Sequence, residues 1–389
     1  MADRLPPSDT GRDRADGERT PWWRTTRLVG RLFPTGAFPS SLSPTADRTA
    51  TSSGRRSIDE PPEFDFDDPD QCEFGGYQLR ALLGGGGAGW IYRARQRSLD
   101  RDVALKLLSG GLWAAPEGVD RLRHEAQDAA SLKHPNIVTV YEVGEQHGRI
   151  YYAMELVEGR NLGERIRQQG PLPAREAATL VRVLAEAVDY AHRLGVLHLD
   201  LNPTNVLLGT DGVPKIADFG LARRVADGDS VPNERVSGTP GYIAPEQVQL
   251  HLGRLCAATD VWGLGAVLYQ ALTGHAPFEA GSARSTIELV LQGRVRDPGR
   301  YRHDLPRDLR AICLHCLHKH PIARYASARG LADDLGRFLE DREVWVRPLN
   351  PLQRGWRWMR RDPRLALAVL LAALSLIVAL AVLLAPPLL

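Results

Sequence analysis

Cysteine is scarce in this chain, four in 389 residues, which is too few for a disulfide framework, and no disulfide is expected. An excess of one charge is missing as well. Lysine and arginine number 49 against 47 aspartates and glutamates, and the net charge of +2 carries no nucleic-acid signature. The opening residues do not read as a signal peptide. Two of the cysteines form Cys313-x-x-Cys316, with His315, His318 and His320 nearby. That grouping invites a zinc or redox reading. However, Leu309, Ile312, Cys313, Cys316 and Leu317 share one apolar helical face, so packed thiols are expected.

With 43% hydrophobic and 25% charged residues, the chain is long enough for a two-lobed domain with extensions. Residues 1–73 are rich in Pro, Ser, Thr, Arg and Asp without sustained periodicity and read as a disordered arm. At the other end, residues 365–385 are apolar except for Ser375. At about 1.5 Å per residue such a run crosses a hydrocarbon core of ~30 Å, which predicts a transmembrane helix. Arg354, Arg357, Arg360, Arg361 and Arg364 flank it on the N-terminal side within a basic juxtamembrane stretch, residues 342–364. No lysine or arginine follows in the short tail, 386–389. This asymmetry predicts a single-pass protein of the cell membrane with its main domain cytoplasmic. The tail is too short for an external sensor domain. Ala368 and Ala372 form a small-x-x-x-small pair, which leaves a homodimer open.

The most informative stretch is residues 196–220, VLHLDLNPTNVLLGTDGVPKIADFG. Apolar neighbours press this loop toward a core and leave Asp200 as a carboxylate that packing alone would not favour. Asn205 follows five residues later with a neutral amide oxygen. After a short strand, Asp218 adds a second carboxylate. Oxygen donors of this kind suit magnesium on phosphates.

The order H-x-D-L-x-P-x-N followed by D-F-G resembles the catalytic and metal loops of eukaryotic-type (Hanks-type) serine/threonine protein kinases. Other motifs extend the resemblance over about residues 74–341. LLGGGGAGWIYRA resembles the phosphate loop, with Leu83, Gly84, Gly85, Gly86, Gly87, Ala88, Gly89 and Ile91 as its ATP-binding positions. Lys106, in VALK, matches the lysine that holds the α and β phosphates, and Glu125 on the helix expected over 119–132 matches its ion-pair partner. YYAMELVEG resembles the strand and hinge that grip adenine, with Met154 as gatekeeper and Glu155 and Val157 supplying backbone groups. Beyond D-F-G, SGTPGYIAPEQ resembles the end of an activation segment, with Ser230, Ser237 and Thr239 on its substrate side. His198 and Asp260 take structural positions. Glu246 and Arg324 match a buried salt bridge.

The resemblance implies an α+β bilobal fold, a small β-rich lobe to about residue 156 and a larger helical lobe to about 341, with the transmembrane helix after it. It implies ATP and Mg²⁺ as ligands and protein Ser/Thr hydroxyls as acceptors. In the roles carried over, Asp200 deprotonates the substrate hydroxyl, Lys106 and Glu125 complete the catalytic set, and Asn205 and Asp218 hold metal. Two positions depart from the family pattern. Leu199 stands where arginine usually follows the histidine, and Asn202 where lysine usually follows the aspartate. The first change weakens control by activation-loop phosphorylation. The second removes a charge worth roughly 3 kcal/mol near the transferred group. An ATP-binding pseudokinase or low-activity scaffold is therefore the alternative. A kinase for lipids or small molecules is disfavoured by the GTPGYIAPE segment, which resembles a peptide-docking platform.

Overall fold

The structure is a computed structural model, and it describes residues 72–86, 89–108, 130–146, 148–219, 223–224, 239–347 and 375. The helix expected over 119–132 lies outside these except at its end, where Ala130 and Ser131 are helical. Most of the N-terminal arm and residues 348–364 lie outside them too.

The N-terminal lobe is a six-stranded sheet made from β1 (Glu73–Phe74), β2 (Tyr77–Gly86), β3 (Gly89–Gln96), β4 (Arg101–Leu108), β5 (Val140–Gln146) and β6 (Arg149–Glu155). Neighbours run antiparallel in the order β1-β2-β3-β4-β6-β5. Alternation along the strands sends Tyr77, Leu79, Tyr92, Ala94, Val103, Leu105 and Ala153 into one apolar layer. Cys72 is buried and its carbonyl accepts from Leu79 N at 2.8 Å, which closes the β1–β2 turn.

After β6 the chain forms β7 (Gly159–Asn161), α1 (Leu162–Gln169) and α2 (Ala174–Arg193). A capping box fixes the start of α1, with Asn161 Oδ1 accepting from Glu164 N and the Glu164 carboxylate accepting from Asn161 N. Helix α2 buries Ala177, Val181, Leu184, Val188 and Ala191, which recur every three or four residues. The short strands β8 (Val196–Leu197), β9 (Val206–Gly209), β10 (Pro214–Ile216) and β11 (Arg223–Arg224) follow. Strand β9 lies between β10 and β7, and β11 pairs with β8.

The rest of the lobe is α3 (Pro245–Val248), α4 (Ala257–Thr273), α5 (Ala283–Gln292), α6 (Arg307–Cys316) and α7 (Ala328–Leu339). Helix α4 is apolar on every side and buries every residue except Gln270, the mark of a helix enclosed by its own domain. Gly263 lets it press against the loop after β8. A Cβ there would lie 2.7 Å from Leu201 Cβ. Cys313 and Cys316 are buried against α4, and burial pushes both thiols above their ordinary range, so the packed-thiol reading holds. Beyond α7, Asp334 fastens the departing chain, accepting from Trp345 N at 2.7 Å and Tyr325 OH at 2.7 Å.

Among the described residues no helix is long and apolar enough to cross a membrane. The run 365–385 lies outside them apart from Ser375, which is helical and exposed.

Candidate active site

The loop after β8 is built on a buried carboxylate. Asp260, near the start of α4, accepts from His198 N at 2.8 Å, Leu199 N at 2.8 Å and His192 Nε2 at 2.7 Å. Burial by itself would raise its pKa. The His192 hydrogen bond and charge, together with the backbone donors, outweigh that and hold it below the ordinary carboxylate value. These bonds clamp an unfavourable backbone, because Leu199 sits at φ +66°, where a non-glycine residue is disfavoured. From the other side Gln247 Nε2 donates to Leu199 O at 2.7 Å.

His198 is fixed by two partners. Its Nδ1 accepts from Asp200 N at 3.2 Å and its Nε2 faces Ala217 O at 3.1 Å, which makes Nε2 the protonated nitrogen. Its ring packs against Phe219 with centroids 4.5 Å apart, joining the loop to the D-F-G residues.

Above this base stand the half-buried groups. Asp200 Oδ1 accepts from Thr239 N at 3.1 Å and Thr239 Oγ1 at 3.2 Å, while Oδ2 accepts from Asn205 Nδ2 at 3.2 Å. Asn205 is held at its own carbonyl by Ala217 N, 2.8 Å away, which brings it beside Asp218 in the chain fold. Asp218 takes φ +64°. Its two carboxylate oxygens each lie 2.6 Å from Lys106 Nζ. Lys106 is buried on β4 between Ile91 of β3 and Tyr152 of β6. The expected partner Glu125 lies outside the described residues, so the lysine's described ion pair is with Asp218.

The glycine hairpin pairs Gly84 with Ile91, Gly85 with Trp90 and Gly86 with Gly89. Gly87 and Ala88 lie outside the described residues. Gly89 has a reason of its own within the fold. It adopts φ +138°, and a Cβ would stand 2.2 Å from Leu107 O. Gly84 has open space where a Cβ would be, and Leu83 is exposed.

At the hinge, Glu155 N is committed to Thr139 O at 2.8 Å, so its amide is part of the fold. Its carboxylate pairs with Lys215 of β10 at 2.8 Å. Val157 is partly buried. Glu246 and Arg324 form the expected pair, two parallel bonds of 2.7 and 2.8 Å between side chains with no exposure. Arg324 also donates to Ala258 O, His318 O and Lys319 O, so its remaining three protons are used. Ser230 and Ser237 lie outside the described residues.

Sequence reading missed His192, Gln247 and Lys215. It also missed the use the fold makes of Asn202, whose position before a proline and beside Thr204 is a readable helix-cap signal.

Among the described residues no group of three or more His, Cys, Asp or Glu could hold a metal ion. Asp218 and Asn205 nevertheless offer hard oxygen donors on adjoining backbone. That set fits a cation which takes few protein ligands and completes its shell with phosphate and water.

A small antiparallel lobe and a helical lobe, with a buried strand lysine reaching a D-F-G carboxylate, define a protein kinase fold. The chain belongs to the protein kinase family, of the eukaryotic-type serine/threonine kind found in bacteria, and residues 77–335 match the protein kinase domain. The serine/threonine-protein kinase PrkC of Bacillus subtilis is 36% identical over 261 residues, covering 67% of this chain and 40% of that one. PknB of Mycobacterium tuberculosis is 38% identical over 271 residues, covering 67% and 42%. The chain thus spans about two fifths of the length of these relatives. Among solved structures, a single-mutant form of the PknI kinase domain from Mycobacterium tuberculosis aligns with TM-score 0.55 at 28% identity, covering 68% of this chain and 96% of that one.

Proposed function

We propose that the chain is an ATP-dependent serine/threonine protein kinase, and the observation that carries this is the Asp200 cluster. A half-buried carboxylate is oriented by Thr239 and Asn205 and stands on a loop locked from below by Asp260. In this reading Lys106 binds the α and β phosphates, while the β2–β3 hairpin covers the triphosphate. The Glu155 carbonyl and Val157 meet the adenine. Asn205 and Asp218 hold Mg²⁺, which neutralises phosphate charge when bound. Asp200 accepts the proton of a substrate hydroxyl as that oxygen bonds to the γ-phosphorus and the bond to the β–γ bridging oxygen breaks, leaving ADP. Glu125, Ser230 and Ser237 keep the roles the family resemblance gives them.

The pseudokinase alternative rests on Leu199 and Asn202. It is weakened because Leu199 already holds the loop posture through its backbone, and Lys106, Asp200, Asn205 and Asp218 are all kept. The run 365–385 with its arginine flank supports a single-pass membrane anchor with the kinase on the cytoplasmic side, and Ala368 and Ala372 a homodimer. Deleting 365–389 should release the protein from sedimented membranes.

The test of catalysis is transfer of labelled γ-phosphate from Mg·ATP to casein by the full chain. Asp200→Ala should lower kcat by about 10³-fold while Mg·ATP still binds. Equal transfer by wild type and variant would overturn the role of Asp200. Nucleotide binding without transfer by the wild type would favour the pseudokinase.

A further inference from the structure

Asn202 occupies a position where the side chain serves two directions at once. It is 1% exposed. Its Oδ1 accepts from Thr204 N at 2.9 Å and Asn205 N at 3.3 Å, capping the short turn Pro203–Asn205, and it also meets Thr204 Oγ1. Those backbone groups only donate, which fixes the oxygen on their side and turns the carboxamide nitrogen the other way. Nδ2 donates to Asp200 O at 3.1 Å and to Thr239 Oγ1 at 3.1 Å.

The second bond gives direction to a chain of three groups. An amide nitrogen only donates and an ionised carboxylate only accepts, so the Thr239 hydroxyl between them must take a bond from Asn202 and give its proton toward Asp200 Oδ1, 3.2 Å away. A lysine at 202 could supply the donor but not the cap, because an ammonium has no acceptor. It would leave the amides of Thr204 and Asn205 without their side-chain partner and place a cation in a site with almost no solvent contact.

We propose that Asn202 is a positioning residue for phosphoryl transfer: its carboxamide nitrogen fixes the Thr239 hydroxyl on Asp200, and the loop is built around that neutral group rather than around a cation. This rests on the kinase reading above. The departure from the family pattern is then a rebuilt support and not a lost one.

The two ends of Asn202 can be separated in the full chain, with casein and Mg·ATP as the probe. Asn202→Asp keeps the capping oxygen and replaces the donor with an acceptor. It should lower kcat by about 10²-fold, the cost of a small misplacement, while KM for Mg·ATP stays within about threefold. Thr239→Val should cost a similar factor and Thr239→Ser should restore the rate. The double variant Asn202→Asp/Thr239→Val should be no slower than the slower single one, because both remove the same bond. Asn202→Lys should be slower than wild type and melt at a lower temperature. Wild-type rates in Asn202→Lys, or single losses that multiply in the double variant, would overturn the role. An active wild type indifferent to Asn202→Asp overturns this inference alone, whereas a wild type that binds Mg·ATP without transfer overturns the kinase reading and the inference with it. Should Asn202→Asp not fold, the Thr239→Val and Thr239→Ser pair still decides, since equal rates in both would exclude the hydroxyl.

Discussion

Two pairs of acids in this protein are treated in opposite ways. Asp260 lies beneath the loop after β8 and Glu246 lies on α3 paired with Arg324, both with almost no exposure, and every partner described for them is fixed protein. Asp200 and Asp218 lie above that loop, half-buried, and bond to groups that a substrate, a nucleotide or a cation would compete for. The lower pair gives up access to solvent and gains position. The upper pair keeps access, and its geometry is supplied from below. Asp260 thus supports the backbone posture of a site that it does not itself enter.

The sharpest way to break this contrast is to remove a lower acid. Asp260→Ala leaves the His198 and Leu199 amides unpaired in the core and frees a strained backbone, with an expected loss of about 4 kcal/mol in chemical denaturation. A loss below about 1 kcal/mol would mean that Asp260 does not hold the loop. The same variant has a pH signature. A carboxylate whose folded pKa is depressed contributes stability above its unfolded value, about 3.9, and loses it as pH falls through the folded value. The gap between wild type and Asp260→Ala should therefore narrow below about pH 4.

Next in size is the fork between Arg324 and Glu246. Arg324→Met strands a buried carboxylate and should cost about 3 kcal/mol, whereas adding Glu246→Leu should recover most of it. A double variant as unstable as the single one would show that the bonds from Arg324 to Ala258 O and His318 O matter more than its charge partner.

The smallest effect belongs to Lys215 and Glu155, whose side chains are 17% and 25% exposed. Lys215→Met should change stability by no more than about 1 kcal/mol. A larger loss would place this pair with the sealed acids.

Much of this was legible in the sequence, and what was legible shares a physical character. Gly84 to Gly89, Lys106, Asp200, Asn205, Asp218 and Glu246 lie in short motifs whose spacing is set by a single hairpin or loop. The packed face of Cys313 and Cys316 could be read because helical period is local. The illegible part consists of pairings between remote segments. Lys215 reaches Glu155 across 60 residues and Gln247 reaches Leu199 across 48, with no pattern to announce either. Asn202 lies between these cases. Its missing lysine is visible in the sequence, but the capping and bridging that stand in for it depend on where Thr239 returns, 37 residues later.

The left-handed turn at Leu199 also fixes the order in which this protein can become competent. Asp200 lies in the chain 60 residues ahead of Asp260, and the posture that aims it exists only once Asp260 has arrived to hold the two preceding amides. A nascent polypeptide that has emerged only through Asp218 holds both upper acids but not the one that cocks the loop. The posture of Asp200 therefore depends on a residue made later, and it has to wait until α4 is formed and packed against the loop.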